Sequence, residues 1–151
     1  MQNLTNKIQT IIAHAPVAAG TSNITDCVVI DTQGYEGLRF IVGFGTITSS
    51  AVTSLKAQQS EVKASATSLT GGADLAGTGI TVADTDDNKI FIMDIYRPAE
   101  RYVQLFINRG TANAVVDFAI AELYGARKLP VPASSDVAQQ ELNVSPAEGT
   151  A

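Results

Sequence analysis

LRFIVGFGTI, Leu38 to Ile47, alternates with a period of two. Leu38, Phe40, Val42 and Phe44 fall on one face, while Arg39, Gly43 and Gly45 fall on the other. Successive side chains of a strand point to opposite sides, so this pattern predicts a strand with one face on a core. An amphipathic helix would instead need apolar residues three and four apart.

Working outward, ITDCVVID (Ile24 to Asp31) places Ile24, Val28 and Ile30 together and reads as a second strand. SLKAQQSEV alternates more weakly around Leu55 and Ala57. KIFIMDIY (Lys89 to Tyr96) and RYVQLFINR (Arg101 to Arg109) are apolar at both parities, which predicts core strands covered on most of their surface. RPAER, Arg97 to Arg101, joins them, with Pro98 in the connection because it cannot donate to a ladder. ANAVVDFAIAELYG fits two templates. A helix would use Asn113 as N-cap and Gly125 as the C′ residue. A strand would align Ala114, Val116, Phe118, Ile120 and Tyr124, and its β-branched and aromatic content favours that reading.

Between the strands lies DTQGYEG, Asp31 to Gly37. Gly34 and Gly37 allow backbone angles that other residues resist. Tyr35 is expected to cover the sandwich edge with a wet hydroxyl, and Glu36 to meet an arginine or a turn amide. Gly34, Tyr35, Glu36 and Gly37 therefore form a structural corner in front of the Leu38 strand.

Two regions differ in texture. Val62 to Asn88 is rich in Ala, Gly, Ser, Thr and Asp and reads as a long exposed excursion with one short strand candidate, GITVA. Leu129 to Ala151 carries three of the five prolines and no Lys or Arg, and Pro130 and Pro132 impose extended backbone. At the other end, NLTNKIQTII has a weak apolar face of Leu4, Ile8, Ile11 and Ile12 that fits a single helical segment. The expected organisation is an N-terminal arm (1–13), a β body (14–125) and an extended C-terminal arm (126–151). Short strands broken by Gly, Asp and Asn turns favour an all-β, jelly-roll-like β-sandwich.

The chain has 151 residues, 45% of them hydrophobic and 17% charged, a globular composition for one domain. Ten basic against fifteen acidic residues give a net charge of −5, which argues against nucleic acid as a partner. No run of roughly 18 apolar residues predicts a membrane helix, and the N-terminal apolar stretch is too broken for a secretory signal. The single cysteine, Cys27, sits in an apolar run and reads as a buried thiol.

Catalytic constellations are missing from the pattern. His14 is the one histidine, so a Ser–His–Asp or Cys–His arrangement has a single candidate base, and AHAPV suits a packed or solvated ring better. DTDDN (Asp84 to Asn88) matches the first three ligand positions of a calcium loop. Lys89 then replaces the turn glycine and Ile95 the bidentate glutamate, so an Asp-rich turn is the preferred reading and a weak calcium site the minority one. GGADLAGTG lacks the βα context of a phosphate loop. Arg97, Glu100, Arg101 and Arg109 read as one surface or interface patch. No cofactor is expected, and the chain reads as a non-enzyme.

Arms without their own core gain stability by lying on a neighbour, which points to an oligomeric structural protein. In order, VVIDTQGYEGLRFIVGFGTIT, LKAQQS, RYVQLFINRG and AIAELYGARKLPVP resemble the decoration, or cement, proteins of tailed bacteriophage capsids, over residues 24–132. The resembling elements are a D-x-x-G-Y-E corner before an F-x-V-x-x-G strand, an R-Y-V strand, and a closing G-x-R-x-x-P segment. The resemblance implies a jelly-roll or related sandwich that forms trimers on the outer surface of the virion and fastens neighbouring major capsid subunits. Such a protein is made in the host cytoplasm. Under this reading capsid contact falls to Leu4, Ile8, Ile11, Ile12, Arg97, Arg101, Leu129, Pro130, Val131 and Pro132, and trimer packing to the apolar strands. The rival expectations are a head-fibre or tail-associated module that binds a receptor or glycan, and a neck or tail-completion protein.

Overall fold

The computed structural model describes residues 3–149. Twelve strands and no helix occur among them. They are β1 (Gln9–His14), β2 (Val17–Gly20), β3 (Ile30–Asp31), β4 (Gly37–Ile47), β5 (Val52–Ser60) and β6 (Val62–Ser65). After them come β7 (Ser68–Thr70), β8 (Ala73–Asp74), β9 (Ile80–Val82), β10 (Ile90–Tyr96), β11 (Tyr102–Gly110) and β12 (Ala114–Tyr124).

The strands form two five-stranded antiparallel sheets and a two-stranded ribbon. The front sheet runs β1-β12-β4-β10, with β2 also on β12; the back sheet runs β3-β11-β5-β8, with β9 also on β5. β1 and β2 take successive stretches of β12, and β8 and β9 successive stretches of β5, so each couple acts as one interrupted strand. Counted this way the front order is first, eighth, third, sixth and the back order second, seventh, fourth, fifth. That is the double Greek key of a jelly-roll sandwich.

The inward residues of both sheets form one core. Leu38, Phe40, Val42 and Phe44 of β4 are buried against Leu55 and Ala57 of β5 and Val103, Leu105 and Ile107 of β11. Phe91 packs edge-on against Phe44 with ring centroids 5.6 Å apart. Cys27 is buried in the same cluster.

Several expectations change. The Gln9–His14 part of the N-terminal stretch is strand β1, not helix, because pairing with β12 supplies its backbone hydrogen bonds. Only Ile30–Asp31 of ITDCVVID is strand; Ile24 makes one bridge to Ile107 and the residues between are irregular. Gln104 explains how Cys27 stays buried in that segment: its Nε2 donates to Cys27 O at 2.7 Å, Thr67 O at 2.8 Å and Thr25 O at 3.3 Å. ANAVVDFAIAELYG is a strand, but Phe118 does not follow Ala114 and Val116 inward. Two β-bulges shift the register against β4, and beyond them Ala119, Ala121 and Leu123 face the core. The 62–88 excursion holds four short strands in place of one, and β8 and β9 complete the back sheet's edge. β10 is covered on one face only: Met93 and Ile95 are buried while Ile90, Ile92 and Tyr96 are exposed.

Candidate assembly interface

The exposed side of the front sheet follows from register. Ile12 lies opposite Ile120, Ile120 opposite Ile41, and Ile41 opposite Ile92, so one row of isoleucines crosses all four strands. In the next row Phe118 and Ile90 both lie beside Gly43. The Phe118 ring occupies the space where a Cβ of residue 43 would stand, so the glycine lets the ring lie flat across β4. Ile90 is 59% exposed, Ile92 50%, Ile12 46% and Phe118 37%. Six contiguous apolar side chains on an outward face form the kind of patch that marks an interaction site.

Below the patch the polar groups are satisfied among themselves. Arg39 pairs with Glu122, its neighbour across the ladder. The Tyr124 hydroxyl donates to Asp94 Oδ1 at 2.6 Å, and burial followed by this bond raises the phenol above its ordinary range. Tyr124 reaches across Gly37, where an added Cβ would meet its hydroxyl at 2.5 Å. Gly37 is therefore required by close approach, whereas Gly34, at φ +91°, is required by backbone conformation.

The DTQGYEG corner lies at one end of the sandwich and ties three segments together. Glu36 N donates to Tyr124 O at 3.0 Å, Arg97 N to Glu36 O at 2.8 Å, and Arg127 N to Gly34 O at 2.9 Å. The Thr32 hydroxyl donates to Arg101 O at 2.8 Å. Tyr35 is half-buried against the core, and its hydroxyl donates to Gln9 Oε1 at 3.2 Å. Burial raises that phenol as well. The corner opens onto a cavity of about 510 Å³ that Arg97, Glu100, Arg101 and Arg127 help to line. The Arg101 guanidinium bonds both oxygens of Asp31, at 2.9 and 2.7 Å, and holds that carboxyl below its ordinary range. Arg101 also stacks over Tyr102, and Arg97, at φ +52°, over Tyr96. The corner thus carries charges of both signs.

Arg109 does not join it. Seven strand residues beyond Tyr102, roughly 23 Å away, its buried guanidinium donates to Ser22 O, Ala18 O and Ala114 O. It locks the β12 start to the chain before Ile24, a structural duty.

The predicted contact residues divide. Leu4, Leu129, Pro130 and Pro132 are exposed, Ile8 and Ile11 half-buried, and Val131 buried at 4%. Ile12 alone of the N-terminal set joins the isoleucine row. Ile41, Ile92, Ile120, Phe118 and Ile90 were not singled out as contact residues. Their signal was an apolar residue on each outward parity, which also fits two-sided burial.

The carboxylates of the Asp-rich turn are taken up by backbone amides, one local and two from the end of β4 and the turn after it. Asp84 Oδ2 accepts from Ser50 N, Asp86 Oδ2 from Ala83 N, and Asp87 Oδ1 from Ile47 N; Lys89 pairs with Asp86 at 2.8 Å. The Lys89 hydrogen bond, then the Ala83 amide, lower the Asp86 carboxyl. Among the described residues no group of three or more His, Cys, Asp or Glu is placed to hold a metal ion. His14 sits with Nε2 3.3 Å from Asp26 and Nδ1 2.7 Å from Ala15 O.

No known family model matches the chain, and no curated protein matches it.

Proposed function

We propose that this chain is a capsid decoration protein that assembles with its own copies as a trimer and fastens to the major capsid protein on the outer surface of a tailed-phage head. The observation that carries the assembly part is the exposed row Ile12–Ile120–Ile41–Ile92 with Phe118 and Ile90 beside it. A chain of net charge −5 that leaves such a face open gains by covering it. The ordered resemblance of residues 24–132 to cement proteins supports the capsid as the setting.

In this reading the front face packs copy against copy, while the exposed Leu4 and Leu129, with the Arg97–Arg101 corner, meet the shell. Catalysis has no part in it; the work is bridging. A protein that binds the assembled shell and not its loose subunits stabilises the shell by mass action, and a trimer multiplies weak contacts through effective concentration.

Tyr96, 58% exposed beside Arg97, favours a second reading as a receptor- or glycan-binding module of a head fibre or tail. Light scattering and cosedimentation with expanded capsids separate the two. A trimer with saturable capsid binding is expected. A monomer that ignores capsids and binds a glycan array would overturn the decoration reading.

A further inference from the structure

The two ends of the described chain pack on each other. Val131 N donates to Asn6 O at 2.9 Å and Ile12 N to Asp136 Oδ2 at 2.9 Å. The Ser134 hydroxyl donates to Thr10 O, the Gln140 amide to Thr5 O, and Gln9 Nε2 to Pro132 O at 3.4 Å. Residues 131–140 are thus a strap along residues 5–12.

The strap covers a sheet edge. β1 is the outer strand of the front sheet, and its Ile12 N–H and Thr10 C=O are met by strap side chains, not by another strand. Open edge groups invite pairing with a foreign strand, and Pro130 and Pro132 keep the strap itself from extending a ladder.

Four features make the docking transferable. The contacts named above are confined to residues 5–12 and 131–140, so their geometry is the same within one chain or between two. The connection Gly125 to Leu129 is exposed at Gly125, Arg127, Lys128 and Leu129, with Gly125 at φ +65°. Val131 is the one fully buried apolar residue of the strap, while Leu129, Leu142 and Val144 remain exposed at 54%, 43% and 64%. The charges also match: residues 1–16 contain no Asp or Glu, and residues 129–151 contain no Lys or Arg.

We propose that the strap is an exchanged arm: in the assembled protein, residues 129–140 of one copy lie along residues 5–12 of a second copy and close its β1 edge. The exchange rests on the reading of the chain as a self-assembling protein. The Arg127 amide stays on Gly34 O, so the free hinge is residues 128–130, which span at most about 11 Å, and exchange requires neighbours whose β1 edges lie close together. Exchange adds contact without enlarging the body.

The test uses two full-length variants, Thr10→Cys and Ser134→Cys, each with its own tag, co-expressed and treated with a short bismaleimide. Cys27 is buried and its thiol is pushed up to about 12, so it stays silent, and the wild type is the control. A cross-linked heterodimer carrying both tags is the expected product. The Thr10→Cys/Ser134→Cys double variant should give linked oligomers. If light scattering shows oligomers but the double variant links only within one chain and the mixed variants never link, exchange is overturned and assembly stands. If the wild type is monomeric at every concentration, assembly and exchange fall together.

Discussion

The Gln104 side chain donates to the main-chain carbonyl of Cys27 at 2.7 Å, inside the sandwich. The same nitrogen serves Thr67 and Thr25. One amide on β11 thus does for residues 24–29 and for the β6–β7 turn what a ladder does elsewhere. Gln104→Leu leaves the Cys27 carbonyl unsatisfied inside the sandwich, at a cost of about 1–3 kcal/mol, and frees the part-buried Thr25 and Thr67 carbonyls. The expected loss is about 2–4 kcal/mol, read as a lower urea midpoint. An unchanged midpoint would show that water replaces the amide.

Thr53 presents the opposite case. Its buried hydroxyl has no hydrogen-bond partner among the described residues. Thr53→Val keeps the shape and removes the orphan, so a gain of about 1 kcal/mol is expected. Thermal melting measures it, and a lower melting temperature would mean that the hydroxyl has a bound water.

Cys27 makes alkaline stability predictable. Burial, then the Asp26 carboxylate, push its thiol from 9.0 to about 12. A folded pKa above the unfolded one contributes stability that is complete below pH 9 and lost as pH rises toward 12. Cys27→Ala should flatten the fall in stability over that window while costing packing at neutral pH. Native protein at pH 8 should also react with a thiol reagent only as fast as it opens; rapid labelling would place the thiol at the surface.

Asp31 sets the acid limb. The Arg101 hydrogen bonds hold its carboxyl low, so its contribution is present above about pH 4 and fades as pH falls through the lower folded value. Both side chains are more than a third exposed, so salt should weaken the effect. Asp31→Asn is expected to lose this part of the pH dependence, below about pH 4. Parallel stability curves for variant and wild type would remove Asp31 from the account.

Ile92 tests the front face. It is half exposed, so Ile92→Asp should leave the monomer's melting temperature nearly unchanged and weaken self-association by tenfold or more, about 1.4 kcal/mol. Analytical ultracentrifugation gives the answer; an undisturbed oligomer would move the interface to another surface.

Sequence alternation was enough for β4, because strict period two over a long apolar strand has one physical reading, and for β11 its apolar and aromatic content at both parities was enough. The β12 pattern misplaced Phe118, since bulges reverse parity and leave no mark in composition. The 62–88 strands escaped because small polar residues pair at an edge without an apolar face of their own. β10 showed the deeper ambiguity: apolar residues on both parities fit a strand covered twice within the chain or one awaiting a partner. Arg109 was grouped with Arg97 and Arg101 by charge, although an extended strand carries it to the other end of the sandwich. The Gly37 contact depends on Tyr124, 87 residues away, which no local pattern encodes.

The hydrogen bond from Gln140 to Thr5 has a topological consequence. It brings Thr5 and Gln140 to one spot on the surface, so a short linker between these two points could make the polypeptide circular there. New termini cut between Gly71 and Gly72, in an exposed turn, should then yield a permuted protein with the same sandwich.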